Sequence, residues 1–324
     1  MNSFVLSGLF GETDRMTTSG TNLHQRNKKS GLLRYSADSV SISVVLLAVV
    51  SSLIPFMVTM PTWALLVWFA AVLFIRSFTP YIQHNHGHLG AFHSKSVNHL
   101  YDVLLTQVTG YATALWELQH NRGHHRNFLT PELDPARLTH LKSGKLMSRW
   151  MYALRGNLTI FRDSVAIGKG EGKAGKKTLI SKLYGESAVQ LAVTGALFYW
   201  NPWMTLFFVV IPNVLTAWFI WWESYAHHLH APTTGMYDAS ITIAGESFNR
   251  QTFNIGHHTA HHERPTLHWS ILPQRTEEIL EKIPGFCVRG DRARSSRRQV
   301  QEFQAQRSGH FQDHYYPDQF PEQG

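Results

Sequence analysis

Between Ser39 and Ile75 the chain carries no charged residue for 37 positions, and between Ser187 and Trp222 it carries none for 36. No other feature narrows the fold so far. A helix crosses a hydrocarbon core of about 30 Å with about 20 apolar residues, so each block is too long for one crossing and suits two short ones. Turn residues stand near the middle of each: Pro55 and Met60-Pro61-Thr62 in the first, Asn201-Pro202 in the second. Each block therefore predicts a helical hairpin, with spans at about 40–58, 62–82, 186–200 and 203–222. Trp63, Trp68, Trp200, Trp203, Trp218, Trp221 and Trp222 gather toward the span ends, as interfacial aromatics do. A very apolar soluble core is the competing reading, but these blocks lack the polar face that a water-exposed helix needs. The expected fold class is an all-α membrane protein, four transmembrane helices in two hairpins beneath a cytoplasmic helical cap.

The average composition conceals this. Hydrophobic residues make up 44% of the 324 and charged residues 16%, while the mean hydropathy is −0.18. The charge lies outside the blocks. Arg26, Lys28, Lys29 and Arg34 precede the first, the stretch from His84 to Glu186 is rich in Lys and Arg, and Arg289, Arg292, Arg294, Arg297 and Arg298 follow the second. The two mid-block turns carry none. By the positive-inside rule, both termini and the middle segment are cytoplasmic. The formal charge of +8 then calls for anionic lipid headgroups rather than nucleic acid. The expected layout is a cytoplasmic arm over 1–38, a membrane domain over 39–288 and a basic, polar tail over 289–324 of disordered composition. The opening segment has no long apolar run, so no cleaved leader is expected.

The chain has 20 histidines against 22 acidic residues, and a single cysteine, Cys287. One cysteine excludes a disulfide framework, a CxxC redox pair and a cysteine-ligated iron–sulfur cluster. Most histidines fall just after the second helix of each hairpin, or a little beyond. An even number of crossings returns the chain to its starting side, so two sequence-distant groups share the cytoplasmic face. His84 and His88 are four apart and share a helix face. His120, His124 and His125 form HxxxHH, and His258, His261 and His262 form HxxHH. In each, residues three or four apart point the same way and the doubled histidine reaches the flank. With His227 these make nine imidazoles, and one metal rarely takes more than about six ligands, so the set predicts two metals. Imidazole suits Fe, Zn, Cu and Ni alike. His86, His93, His99, His230 and His268 read equally well as ordinary hydrogen-bonded histidines.

Gln83-His84-Asn85-His86-Gly87-His88-Leu89, Glu117 through His125 and Phe253 through Pro265 resemble the three histidine boxes of the membrane-bound fatty acid desaturase superfamily. Glu223-Ser224-Tyr225-Ala226-His227 is similar to the NSxxH element of acyl-CoA desaturases. The resemblance covers about Ser39 to Pro273. It implies two irons held by His84, His88, His120, His124, His125, His227, His258, His261 and His262, with Glu223, Asn254 and His257 standing just behind them. It also implies O2-dependent attack on a fatty acyl chain that arrives free, as a thioester or lipid-linked. Two departures stand out. Position 223 is Glu where acyl-CoA desaturases have Asn, and Gly123-His124-His125 followed by Thr130 through Pro135 looks more like the integral-membrane alkane hydroxylases.

Desaturation leads among the reactions, with hydroxylation or oxidative decarboxylation of a fatty acid as alternatives. Electrons are expected from a separate ferredoxin, rubredoxin or cytochrome system, because no fused donor domain is visible. Two other classes compete. A zinc metalloprotease is disfavoured because position 85 is Asn and no HExxH occurs. A metal transporter would carry its ligands near the bilayer midplane, where these spans are almost free of them.

Overall fold

The computed structural model describes residues 31–170 and 173–290, with side chains outside 171–177. The arm before residue 31 and the tail after 290, with His24, His310, His314 and the arginines beyond 290, lie outside the described residues. The chain is mostly helical. Its principal helices are α1 (Asp38–Met57), α2 (Thr62–Arg76), α3 (Thr79–His88), α4 (Lys95–Thr109), α5 (Thr113–Trp116), α6 (Arg149–Gly170), α7 (Lys173–Trp200), α8 (Ile211–His228), α9 (Glu246–Gln251), α10 (His258–Glu263) and α11 (Leu272–Ile279). Two residues of parallel sheet, β1 (Thr242–Ile243) against β2 (Val288–Arg289), complete the fold. Arg289, assigned to the tail by composition, thus belongs to a strand. The chain divides into two units, one over 38–225 and the other formed by 31–37 with 226–290 among the described residues.

In the 38–225 unit α1 is built inside out. Its buried positions are Asp38, Ser41, Val45, Ala48, Ser51, Ser52 and Pro55, while Val40, Leu46, Leu47, Val50, Leu53 and Met57 face outward. Small residues turned inward and large apolar ones turned outward suit a lipid surround, where close backbone approach rather than apolar burial drives helix packing. Three helical stretches are long and apolar enough to cross a membrane: Asp38–Met57, Thr62–His88 (α2 running into α3) and Pro202–His228. The expected span at 186–200 is the second half of α7, a helix that begins among lysines and carries Glu186 and Gln190.

The two turns expected from the sequence differ from one another. Asn201 caps the next helix, its Oδ1 accepting from Met204 N at 3.1 Å, and Pro202 occupies a first-turn position that needs no N–H. Pro55 does not break α1, which continues to Met57. Proline removes the hydrogen bond to the carbonyl four residues back, here that of Ser51. That carbonyl accepts from Trp68 Nε1 on α2 at 2.8 Å. The turn falls at residues 58–61, at the Met60-Pro61 signal and between the expected spans 40–58 and 62–82.

Arg76, at the end of α2, is 1% exposed. Its guanidinium donates to Val108 O from Nε at 2.9 Å and Nη2 at 2.7 Å, to Gln107 O at 3.2 Å, to Phe208 O at 3.3 Å and to Asn213 Oδ1. A cation at the last carbonyls of α4 also meets the negative end of that helix dipole. Gly110, just beyond, has φ 89°, and a Cβ there would stand 2.5 Å from Asn213 O. Glycine alone satisfies both demands.

In the other unit Ala231, Ile241, Ile243, Ala260, Leu272, Ile279, Ile283 and Cys287 form one core cluster. It packs β1, α10 and α11 together. The α10 helix is further pinned by Thr259 Oγ1, which bonds Ser240 Oγ at 3.0 Å and Thr242 Oγ1 at 2.9 Å.

Candidate metal centre

In the 38–225 unit the first two boxes meet. His84 and His88 sit one turn apart on α3, their ring centroids 4.9 Å apart, as the spacing predicts. The second box departs from expectation. Residues Glu117–His124 form a π-helical segment, so residues five apart come into register rather than residues four apart. The backbone N–H of His125 bonds His120 O, and the two rings face each other with Nε2···Nε2 at 3.0 Å. His125 is therefore brought onto His120 instead of reaching the flank. His84, His88 and His120 each offer a ring nitrogen within 4.8 Å of one another.

Neighbouring side chains fix these rings. Trp116 stacks on His120 with centroids 4.3 Å apart and planes 14° off parallel. Asn121 Nδ2 donates to Gly87 O at 2.8 Å, tying box two to box one. A Cβ at Gly123 would stand 2.6 Å from Pro135 Cγ and 2.9 Å from Ile167 Cδ1, so glycine lets box two close on α6 and on the segment after it. That segment supplies Asp134, whose carboxylate oxygens lie 2.9 and 3.0 Å from His124 Nδ1. With Nδ1–H held by a buried carboxylate, the His124 lone pair is at Nε2, the arrangement that orients metal-bound histidines.

His86, between the two α3 ligand positions, is differently engaged. Its Nδ1 accepts from Ala91 N at 3.1 Å, and its Nε2 lies 3.2 Å from Asp102 Oδ1. Asp102 also meets Lys182 Nζ at 3.0 Å. Burial raises the Asp102 carboxyl, but the His86 bond and Lys182 outweigh it and leave the group below its ordinary value. Lys182 is held above its ordinary value despite burial, through Asp102, Glu186 and Glu117.

The other unit carries the remaining histidines. His227 stacks on His258, centroids 4.3 Å apart. His258 Nε2 lies 3.1 Å from His228 Nε2 and 3.2 Å from His262 Nε2. His261 follows on α10, its ring centroid 5.5 Å from that of His258. His228 Nδ1 lies 3.0 Å from Ala239 O, which again leaves Nε2 as the lone-pair atom. His257 stands at the N-terminal boundary of α10, and its Nδ1 meets Thr276 Oγ1 at 2.9 Å. Asn254 takes a left-handed φ of 62° and donates to Trp269 O at 3.1 Å. Glu223, in the 38–225 unit, pairs with Arg149 Nη2 at 3.1 Å.

The donor chemistry fits a metal in each set taken separately. Two ring nitrogens that face each other at 3.0–3.2 Å offer either one shared proton or two lone pairs to one cation. Protonation is disfavoured: burial, then the neighbouring His84, His125, His88 and His124, push His120 well below the usual histidine value, and burial takes His257 down to about 4. Neutral imidazole is the ligating form.

The family model for fatty acid desaturases matches residues 28–289, a stretch that includes all three boxes. The chain belongs to the fatty acid desaturase family. Its three apolar helical stretches accord with a membrane desaturase, and the family makes it an oxidoreductase of the desaturase and hydroxylase type. A comparison with curated proteins finds no match. Three residues of the site escaped sequence reasoning: Asp134, Trp116 and His228. One left a signal, since His228 completes a doubled histidine like those of boxes two and three.

Proposed function

We propose that this desaturase-family protein holds two irons and uses O2 and two electrons to desaturate a fatty acyl chain. The observation that carries the reading is the facing of imidazole Nε2 atoms in both histidine sets, with Nδ1 tied back at His124 and His228. His84, His88, His120, His124, His125, His227, His258, His261 and His262 would be the ligands, and His228 joins them. When bound, the irons supply reductive O2 activation strong enough to break an unactivated C–H bond. The chain's own part is to keep the imidazoles neutral and oriented and to exclude water. Asp134 holds the His124 tautomer, Trp116 lies flat against His120, and burial disfavours the imidazolium.

The topology we infer has four crossings, with the second half of α7 as the third in chain order, and places both termini and the site in the cytoplasm. Supporting it, α7 beyond Glu186 turns Leu191, Phe198, Tyr199 and Trp200 outward. Electrons come from a separate ferredoxin, rubredoxin or cytochrome system. A hydroxylase or decarboxylase outcome is favoured by one observation, the alkane-hydroxylase-like segment that contributes Asp134. Mass spectrometry of products after expression with defined acyl chains separates the three: internal alkenes are expected, whereas alcohols or shortened terminal alkenes would replace desaturation by one of the others. Elemental analysis of the purified protein should find two irons, and zinc in their place would sink the oxidative reading.

A further inference from the structure

Beyond the histidines, the 38–225 unit holds a second concentration of chemistry. After Asp134 the chain forms a tight β-hairpin, with Met147 N bonded to Leu138 O at 2.8 Å, His140 N to Lys145 O at 2.9 Å and Gly144 N to His140 O at 2.8 Å. Together with Arg155 on α6, it encloses a basin of about 530 Å³ lined by Arg137, His140, Lys142 and Lys145. The basin has no acidic lining residue. Four permanent cations and a histidine therefore face one concavity.

The nearby carboxylates are committed elsewhere. Asp134 is bound to His124 Nδ1 and to Ala136 N at 2.7 Å, and Asp163 takes the Arg162 guanidinium at 2.9 Å. Among the described residues neither Arg137 nor Arg155 has an ion pair within 4.0 Å. Arg137 spends Nη1 on Asp134 O at 3.1 Å, while its Nε is buried with no hydrogen-bond partner. Arg155 Nη1 only grazes Arg137 O at 3.5 Å. Arg137 and Arg155 are part-buried, while Lys142 and Lys145 at the rim are exposed, and the guanidiniums keep spare donors that an anion entering the hollow would satisfy.

We propose that this basin binds a phosphate group, with Arg137 and Arg155 as fork donors and Lys142 and Lys145 as point charges. A phosphate group, diester or monoester, presents its oxygens tetrahedrally, so it can accept from guanidinium forks and lysines on several sides of the hollow at once, which a planar carboxylate cannot. Two sources carry that chemistry, a phospholipid headgroup and a soluble phosphate ester. The fold favours the lipid. Along α6, Trp150, Leu154, Leu158 and Phe161 form an outward apolar stripe, and Trp150 packs on Trp218 and Trp222 of the membrane-spanning α8 with centroids 5.6 and 4.6 Å apart. The stripe thus continues the aromatic belt of a span, and Arg155 follows Leu154 at headgroup level. This inference does not depend on which reaction the histidines support.

The test uses the full-length protein. In one arm, native mass spectrometry follows retention of phosphatidylglycerol against phosphatidylcholine after extraction from mixed nanodiscs. In the other, calorimetry follows inorganic pyrophosphate added to protein in phosphatidylcholine nanodiscs. Retention in the first arm assigns a lipid headgroup, and saturable binding in the second alone assigns a soluble ester. In whichever arm binds, Arg137→Gln and Arg155→Gln should each weaken binding about tenfold, the loss of one charge-assisted hydrogen bond. Arg137→Lys should be intermediate, and Lys169→Gln at the far end of α6 neutral. Should Arg137→Gln not fold, Arg155→Gln and Lys145→Gln decide alone. Binding in neither arm, or equal binding by wild type and the Arg155→Gln variant, overturns the proposal.

Discussion

Asp134→Asn is the most discriminating perturbation of the histidine site, because it changes one proton and little else. In the native protein both carboxylate oxygens lie within hydrogen-bond distance of His124 Nδ1, at 2.9 and 3.0 Å, and one also accepts from Ala136 N at 2.7 Å. Asparagine keeps the shape and can keep the Ala136 bond through its carbonyl oxygen. Its amide nitrogen then faces His124 Nδ1, which must become an acceptor. The ring proton moves to Nε2, and the lone pair that would face a metal is lost. Removing such an orienting partner costs about 10- to 100-fold in metal affinity, or roughly 1.4–2.7 kcal/mol. A charge-assisted bond between groups 3% and 5% exposed also supports the apoprotein, by about 1.5–3 kcal/mol. The assay is iron retained, by plasma mass spectrometry, after dialysis against graded chelator, with size exclusion and apoprotein melting as folding controls. The midpoint should move at least tenfold toward lower chelator. A retention curve that superimposes on wild type would refute the assignment of His124 as a ligand oriented by Asp134.

Three further outcomes follow from the packing. Arg76→Leu strips partners from Val108 O, Gln107 O and Phe208 O in a buried site, so detergent-solubilised protein should lose at least about 3 kcal/mol; unchanged thermal aggregation would refute that bookkeeping. Trp68→Phe should cost about 1 kcal/mol in wild type but almost nothing in a Pro55→Ala background, where residue 55 regains the N–H that satisfies Ser51 O, and additive losses would contradict the compensation. For pH, Asp102 lies below its ordinary 3.8, so its stabilising share is present above that value and lost as pH falls through the lowered one. Lys182 lies above its ordinary 10.5, so its share is present below that value and lost as pH rises through the raised one. Lys182→Met should therefore abolish the alkaline limb and shift the acid limb to higher pH, and a stability profile that keeps both limbs would count against the pair.

How much of the site the sequence reveals depends on helix period. His84 and His88 are legible because α3 keeps the ordinary turn of about 3.6 residues, which places i and i+4 together. The same arithmetic mispairs box two, since the π segment from Glu117 to His124 adds a residue per turn and joins His120 to His125. Nothing in Glu117-Leu118-Gln119-His120-Asn121-Arg122-Gly123-His124 announces a π turn. Its stability comes from outside the segment, where Trp116 lies flat on His120 and Gly123 admits Pro135 and Ile167. Such turns are rare and gather at functional sites. Asp134 is hidden for a related reason: a carboxylate in a loop has no periodicity to betray its partner.

The membrane domain shows the complementary lesson. The charge-free blocks place α1, the α2–α3 run and α8, because lipid tolerates no charge on an outward face and length sets the crossing. Pro55, one of two turn signals in its block, lies inside the span, since a proline breaks a helix only when nothing can replace the bond it removes. Here Trp68 Nε1 replaces it from the neighbouring helix at 2.8 Å, and in hydrocarbon every freed carbonyl must find such a donor. Glu186 shows the same rule from the acidic side. It interrupts the apolar run of α7, yet it is buried, accepting from Thr113 Oγ1 at 2.7 Å and Ala114 N at 2.9 Å at the start of α5. A polar residue beside an apolar helix can therefore mark a bond to another helix rather than the end of a span. Pro55 and Glu186 both lie where helices are joined, the one through Trp68 and the other through Thr113 and Ala114.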